Sequence, residues 1–245
     1  MGELIKDIHK IKPSYGYHRI RKIIIDETGW VISSNLVHKV CRLLNIKSKA
    51  KHYKYKKPGE KSIKYENIIG YNWNTSRPFE KIVSDTTSFY FKNKKYDWTF
   101  YLDVFNNEIV GSDVRESLNG NGVINHKEAA NNMLKNKIKR GYKNLETIIH
   151  TDQGSVYSSV SFNNIFNSYK VTRSMSRAGT PTDNPVIESK NGWIKKEMYI
   201  DFDINNYNTV QEFIDDIIWD NNNYRPSYAL KYKTPIEYRI QLGFK

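Results

Sequence analysis

The apolar positions in the first fifty residues recur at helical spacing, which predicts two short helices. The first covers residues 17–28 and ends at Gly29, a residue type that is common just past a helix end. The second begins with Ser33 or Ser34 as its N-cap and continues to Leu44. Its apolar positions share one stripe and consist of Leu36, Val37, Val40, Leu43 and Leu44. Its polar positions share the opposite face and consist of Asn35, His38, Lys39 and Arg42.

A pair of short helices, the second with a basic face, is typical of a helix-turn-helix, whose second helix enters the major groove of DNA. We therefore predict a DNA-binding domain in residues 1–50, with DNA contacts from the polar face of the second helix, namely Asn35, His38, Lys39 and Arg42. A small helical hairpin with a solvated face has the same spacing. The excess of Lys and Arg in this part of the chain favours DNA.

From residue 79 onwards the pattern changes to short runs that are rich in β-branched and aromatic residues. A capping box, Thr209 to Glu212, opens a late helix. The other predicted elements are strands at residues 81–91, 95–104, 107–114, 146–150 and 169–173, helices at residues 122–140 and 159–168, and a helix around Glu188. Three consecutive strands followed by alternating helices and strands predict an α/β domain with a mixed sheet in residues 78–245.

Residues 51–77 are predicted to form a basic, flexible linker, because the Lys-rich stretch at 47–64 has neither a helical nor a strand period. Such a segment suits phosphate contacts, although a merely solvated linker has the same composition. The net charge of +13 is uneven: residues 1–77 hold 17 Lys and Arg against 6 Asp and Glu, and residues 78–245 hold 22 against 20. Tyr and Arg interleaved with the lysines favour nucleic acid over a membrane surface as the partner.

Two features of the sequence exclude other classes of protein. No apolar run approaches the roughly 18 residues that a membrane-spanning helix needs, and the N-terminus lacks the apolar core of a signal peptide. The single cysteine, Cys41, excludes an internal disulfide and a zinc module of two His and two Cys, and it is typical of a reducing cytosol. We expect Cys41 to be a packed small residue.

Three acidic residues stand in local settings that suit a metal ion. Asp85 interrupts a predicted strand, Asp152 directly follows another, and Glu188 lies in a predicted helix, with 35 residues between it and Asp152. A carboxylate within a strand is costly to desolvate unless a cation or hydrogen bonds offset the cost. Because the chain has 26 acidic residues, the spacing alone is weak and the local settings carry the prediction.

The helix that contains Glu188 has one polar face. Asn184, Asn191 and Lys195 are spaced so that they share this face with Glu188. The arrangement suits a metal ligand with a phosphate contact beside it. An ordinary exposed helix with its charges spread for solubility has the same pattern.

Six segments of this sequence occur, in the same order, in a known family. They are residues 15–21 (Tyr-Gly-Tyr-His-Arg-Ile-Arg), 83–87 (Val-Ser-Asp-Thr-Thr), 150–154 (His-Thr-Asp-Gln-Gly), 174–188, 223–226 (Asn-Tyr-Arg-Pro) and 233–238 (Lys-Thr-Pro-Ile-Glu-Tyr). Together they resemble the bacterial insertion-sequence transposases that are encoded in two overlapping reading frames. The chain is similar to the product of the second frame (OrfB-type), whose core is shared with retroviral integrases.

The resemblance implies an RNase H-like mixed five-stranded sheet flanked by helices, preceded by a small all-α helix-turn-helix domain. It implies that Asp85, Asp152 and Glu188 are the catalytic residues of a DDE-type site and the ligands of two Mg2+ ions, for which Mn2+ substitutes. Lys195 falls where the family places a basic residue near the DNA end. We expect Asn184 and Asn191, on the same helix face, to contact DNA as well.

The implied activity is Mg2+-dependent cleavage and strand transfer of double-stranded DNA, at the element ends and the target, by a homo-oligomer in the bacterial cytoplasm. Ser227 stands where the family usually has histidine, so no role of that histidine is assigned. No leucine-rich coiled coil is present in the sequence, so we expect an upstream-frame (OrfA-type) partner or fusion. An RNase H-like nuclease and a non-catalytic DNA-binding remnant or regulator of transposition are the alternatives.

Overall fold

The computed structural model describes residues 1–50, 62–118, 121–177 and 179–244. The chain divides into two compact units, Met1–Lys57 and Pro58–Lys245. None of the helices in the described residues is both long enough and apolar enough to cross a membrane.

The first unit consists of three helices, α1 (Gly2–Ile11), α2 (Tyr17–Thr28) and α3 (Ser34–Leu43). Helix α2 ends at Gly29 in the left-handed conformation with φ 69°, as its sequence predicts. Ser33 caps α3 by accepting a hydrogen bond from the Leu36 amide. The helices enclose one apolar core, formed by Ile5, Ile8, Ile20, Ile24, Ile32, Val37 and Cys41.

Two details of the first unit differ from the sequence-based expectation. Helix α1 was not predicted, although Ile5 and Ile8 fall at helical spacing, because no side chain caps its N-terminus. Within α3 the buried stripe is centred on Val37 and Cys41, whereas Leu36 and Leu43 are exposed, so the predicted stripe was too wide.

The second unit contains a five-stranded sheet with strand order β3-β2-β1-β4-β5. The strands are β1 (Lys81–Phe91), β2 (Lys94–Asp103), β3 (Ile109–Glu116), β4 (Thr147–Thr151) and β5 (Val171–Met175). The first three form an antiparallel meander, and β4 and β5 extend the sheet in parallel from β1. The predicted mixed five-stranded sheet flanked by helices is therefore confirmed.

Helices cover both faces of this sheet. They are α4 (Asn121–Lys139), α5 (Val160–Asn163), α6 (Pro185–Ile200), α7 (Val210–Asn223) and α8 (Pro235–Gln241). One apolar cluster joins the sheet to α6 and α7, and a second joins the other face to α4 and α5. At Gly111 in β3 an added Cβ would stand 2.4 Å from the backbone nitrogen of Met133, so α4 packs directly on the strand backbone. The capping box that opens α7, Thr209 with Glu212, is present as predicted.

Residues 62–77 belong to the second unit and are bonded to the loops and strands around its sheet. The Ile63 amide donates to the Ser158 carbonyl at 2.8 Å, and the Ile68 amide donates to Ser174 Oγ at 3.2 Å. The indole of Trp73 stands edge-on to the His150 ring at 5.7 Å. Residues 62–77 therefore do not form the predicted flexible linker. The rest of that prediction, residues 51–61, lies outside the described residues.

Candidate active site

The two candidate aspartates lie on the same face of the sheet. Strands β1 and β4 are parallel neighbours in which Val83 pairs with His150. Asp85 and Asp152 each stand two residues further along, and because side chains alternate along a strand, both share the face of Val83. Val83 belongs to the apolar cluster under α6 and α7. Both carboxylates therefore stand on the α6 side of the sheet.

Glu188 approaches the same place from α6. It lies in the first turn of that helix. Asp85, Asp152 and Glu188 line one cavity of about 410 Å³ together with Asn184. The remaining wall includes residues of the loops after β4 and β5, namely Gln153, Gly154, Ser176, Arg177, Gly179 and Thr180. Parts of the chain that are far apart in sequence thus place three acidic side chains around one space.

Asp85 is half-buried and held from two sides. Its Oδ1 accepts a hydrogen bond from the Thr86 amide at 2.8 Å, and its Oδ2 accepts one from Asn191 Nδ2 at 2.6 Å. Burial raises the pKa of Asp85 above its ordinary value, and the negative charges of Asp152 and Glu188 raise it further, against the positive charge of Lys195. The cavity therefore disfavours the Asp85 carboxylate, and a bound cation would offset that effect.

The Asp152 carboxylate is turned toward its own loop. Its Oδ1 accepts a hydrogen bond from the Gly154 amide at 2.8 Å. An added Cβ at Gly154 would stand 2.8 Å from the same oxygen, so glycine is the residue that leaves room for this contact. Among the described residues, no three His, Cys, Asp or Glu side chains are grouped closely enough to hold one metal ion. The three acids share a cavity but are not assembled around a single point.

The polar face of α6 places one asparagine, Asn184, in the cavity lining and a second, Asn191, against Asp85. Asn184 is buried at the start of the helix, and its Oδ1 has no hydrogen-bond partner among the described residues. The Oδ1 of Asn191 is buried and lacks a described partner as well, although its Nδ2 donates to Asp85. Buried polar atoms are rarely left without a partner. The three carboxylates and the Asn184 amide oxygen, which line one cavity, form a donor set that suits a hard divalent cation or an ordered water.

An ion pair closes the loop between β5 and α6. The Arg177 guanidinium donates to both Asp183 carboxylate oxygens at 2.9 Å, and the Arg177 amide donates to Asp183 Oδ2. Arg177 holds the pKa of the buried Asp183 carboxyl well below its ordinary range. Because Asn184 and α6 follow directly, this pair fixes the point at which the Glu188 helix begins. Sequence reasoning missed the pair, although Arg and Asp flank the turn-rich segment.

His150 ties the ends of β4 and β5 together. Its Nδ1 lies 2.8 Å from Ser174 Oγ, and its Nε2 lies 3.0 Å from Ser176 Oγ. Burial lowers the pKa of His150 to about 4, so the ring is neutral near pH 7. A neutral imidazole that bridges two hydroxyls positions the strand end that leads to Asp152, and it carries no charge into the cavity.

The predicted DNA-contacting residues of the first unit also share a surface. Asn35, His38, Lys39 and Arg42 line an open cavity of about 460 Å³ on α3. The Tyr17 ring of α2 lies 4.6 Å from the His38 ring. The face is basic and open, as a groove-contacting helix requires.

The sequence matches the family described as Integrase core domain over residues 75–181, and a second family of the same description over residues 169–235. It is 30% identical over 238 residues to a protein of Escherichia coli (strain K12) that carries the name transposase InsK for insertion sequence element IS150. That match covers 95% of this chain and 80% of the relative. The chain belongs to the bacterial insertion-sequence transposases. This transposase is also 27% identical to the transposase for insertion sequence element IS904 of Lactococcus lactis, over 97% of this chain and 92% of that one.

Solved structures show the same fold. The simian T-cell lymphotropic virus intasome in complex with PP2A regulatory subunit B56 gamma matches with a TM-score of 0.55 at 16% identity, over 96% of this chain and 74% of that one. The HTLV-2 integrase catalytic core domain in complex with magnesium matches with a TM-score of 0.50 at 18% identity, over 66% of the transposase and 97% of that domain. The integrase-type, RNase H-like core of the transposase is therefore confirmed.

Proposed function

We propose that this transposase cuts DNA at the ends of an insertion sequence and joins the freed 3′ ends to target DNA, and that Asp85, Asp152 and Glu188 carry the reaction. The observation that supports this most directly is that the three carboxylates line one cavity in a chain that belongs to a transposase family. Asn184 extends the same donor set with a buried amide oxygen in the cavity lining, and Asn191 donates a hydrogen bond to Asp85.

The proposed cofactor is a pair of Mg2+ ions, for which Mn2+ substitutes. The HTLV-2 integrase core that shares the fold is in complex with magnesium. The three carboxylates would hold such ions, which would activate an attacking oxygen and stabilise a leaving 3′ oxygen. Burial, and to a smaller extent the charges of Asp152 and Glu188, raise the pKa of Asp85; this supports the proposal, because a bound cation would offset both effects.

The reaction has two transfers of the same kind. In the first, a water oxygen attacks the phosphodiester at the element end, the bond from phosphorus to the 3′ oxygen breaks, and this oxygen leaves as a 3′-OH. In the second, that hydroxyl attacks a phosphodiester of the target and displaces its 3′ oxygen. No covalent enzyme–DNA intermediate forms. Asn191 orients the Asp85 carboxylate through its 2.6 Å hydrogen bond, and Lys195 on the same helix face contacts a DNA phosphate.

We propose DNA contacts in the first unit from the α3 face, Asn35, His38, Lys39 and Arg42. These residues contact the element end in the major groove, in a homo-oligomer on double-stranded DNA in the bacterial cytoplasm. An upstream-frame partner or fusion contributes to assembly. Residues 1–50 form the DNA-binding domain and residues 78–245 the catalytic domain in this proposal.

The proposal is tested with Asp85→Asn in a joining assay on labelled element-end DNA with Mg2+. We expect this variant to fold and to bind DNA like the wild type and to give no joined product, because the amide cannot replace a charged metal ligand. Asp215→Asn is the matched control, since Asp215 is an exposed acid of α7 that bonds only to Gln211 among the described residues. Normal joining by Asp85→Asn would remove the triad from the mechanism. Cut ends without any joined product from the wild type would favour an RNase H-like nuclease.

A further inference from the structure

A second cavity, of about 500 Å³, lies in the second unit against another face of α6. Helix α6 contributes Val186, Ser189, Lys190 and Trp193 to this cavity. With a helical step of roughly 100° per residue, Trp193 lies about 180° around α6 from the face of Glu188 and Asn191. The cavity is completed by α7 and by residues 225–235, which overlap two of the family-like segments, 223–226 and 233–238. This space is separate from the acidic cavity.

The cavity contains an ammonium group, that of Lys190, without an ion-pair partner among the described residues. Lys190 donates a hydrogen bond to Asn221 Oδ1 at the cavity wall. It forms no ion pair with any carboxylate of the described residues. Burial and the nearby positive charge of Arg225 lower the pKa of Lys190 to about 8. Arg225 is itself fixed at the wall by two hydrogen bonds to Glu197, at 2.7 and 2.6 Å. The carboxylates of Glu197 and Asp220 act on Lys190 in the opposite direction, but neither forms an ion pair with it, so the ammonium is open to an anionic ligand.

Three large aromatic rings stand at the rim of the cavity and remain exposed. The exposed fractions are 53% for Trp193, 82% for Tyr228 and 70% for Tyr232. The two tyrosine rings lie 5.7 Å apart in an edge-to-face arrangement. Lys231 and Tyr232 both have positive φ, 55° and 60°, within a turn that is closed by a bridge between Ser227 and Lys233. Two consecutive non-glycine residues in this region are costly, so the fold itself holds these rings at the surface.

We propose that this cavity binds one unpaired nucleotide of a DNA strand, with its phosphate at Lys190 and its base against the rings of Trp193 and Tyr228. Exposed aromatic rings beside positive charge are the combination by which proteins bind single-stranded nucleic acid, since every base has a face that stacks. The bases of an intact duplex are stacked on each other, so the ligand is an unpaired nucleotide. The inference rests on the proposed function in DNA transposition.

The test measures binding of the full chain to a fluorescein-labelled oligothymidylate of about a dozen nucleotides, in EDTA so that divalent cations play no part. An abasic oligomer of the same length is the second probe. We expect Trp193→Ala to weaken oligothymidylate binding by roughly 5-fold to 100-fold, the range for loss of one base–aromatic stack, and to leave abasic binding unchanged. Lys190→Met weakens both probes, because the phosphate contact is common to them. Tyr228→Ala, at a more exposed position, repeats the Trp193 result with little risk to folding.

Trp219→Ala is the matched control, since Trp219 is 58% exposed on α7 and lies outside the cavity lining. We expect it to bind both probes like the wild type. Equal binding of the two probes by the wild type, or unchanged binding by both Trp193→Ala and Tyr228→Ala, would overturn the proposal. A change of oligomeric state in sedimentation with DNA binding intact would show a subunit contact instead, and would also overturn it. Asp85→Asn separates the two proposals, because it should keep oligothymidylate binding while losing strand joining.

Discussion

The loop after β4 offers a perturbation that moves one carboxylate of the site and little else. In Gly154→Ala, the new Cβ would stand 2.8 Å from Asp152 Oδ1 and 3.6 Å from Asp152 Cγ. Ordinary contact begins at 3.4 Å, so the oxygen must move by about 0.6 Å. The hydrogen bond from the Gly154 amide, now 2.8 Å long, is weakened or lost.

The expected effects on stability and on activity differ in size. Asp152 is exposed, and its side chain is free to rotate, so the free energy of unfolding should fall by no more than about 1 kcal/mol, the net value of one hydrogen bond. Strand joining should fall on the order of 10-fold to 100-fold, because a displacement of this size at a reacting group costs rates of that order. The informative quantity is the loss of strand joining relative to the loss of free energy of unfolding.

Urea unfolding measures the first effect, and single-turnover joining of labelled element-end DNA at saturating protein measures the second. Gly122→Ala is the matched control, because an added Cβ there meets nothing within 4 Å and Gly122 lies outside the acidic cavity. We expect the control to retain both stability and joining. Wild-type joining by a folded Gly154→Ala would refute the reasoning, since the position of the Asp152 carboxylate would then not matter to the reaction.

Two further predictions concern buried acids of the second unit. Glu108→Gln should lower the free energy of unfolding, measured in urea, by about 3–5 kcal/mol, because Glu108 is buried and accepts hydrogen bonds from Arg140 and Arg239. The control Glu116→Gln removes one partner of the exposed ion pair with Lys94 and should lower it by less than about 1 kcal/mol. Equal losses in the two variants would contradict this view. Burial raises the pKa of Asp103 from 3.8 to about 7, so its contribution to stability is complete below about pH 4 and is lost as the pH rises through about 7. Asp103→Asn should remove that part of the pH dependence of unfolding, and an unchanged pH profile would show that Asp103 does not titrate in this range.

Runs rich in β-branched and aromatic residues were sufficient to predict the strands, and their order predicted a mixed sheet. Strand β1 was predicted with the observed bounds, and the meander and the parallel extension followed from element order. Strand β5 lies two residues later than predicted, because its register is set by parallel pairing of Thr147 with Val171, a tertiary contact. Helix α8 was missed even though Thr234 and Glu237 form a capping box, since seven residues give too little periodicity to recognise.

The candidate acids were predicted from their local settings, but the contacts that orient them were not. Asp85 interrupts a strand, and this anomaly is visible in the sequence. The hydrogen bond from Asn191 to Asp85 joins residues 106 positions apart, and no local pattern specifies it. The pair of Arg177 with Asp183 is local but depends on a loop whose conformation the sequence leaves open.

The central claim is that Asp85, Asp152 and Glu188 hold divalent cations, and it is tested most directly by locating Mn2+ from anomalous diffraction in crystals of the chain with element-end DNA. The account predicts anomalous peaks in the acidic cavity, at coordination distances of roughly 2 Å from oxygens of all three side chains taken together. Anomalous peaks only at other places, with no Mn2+ at the three carboxylates beside a bound DNA end, would contradict it.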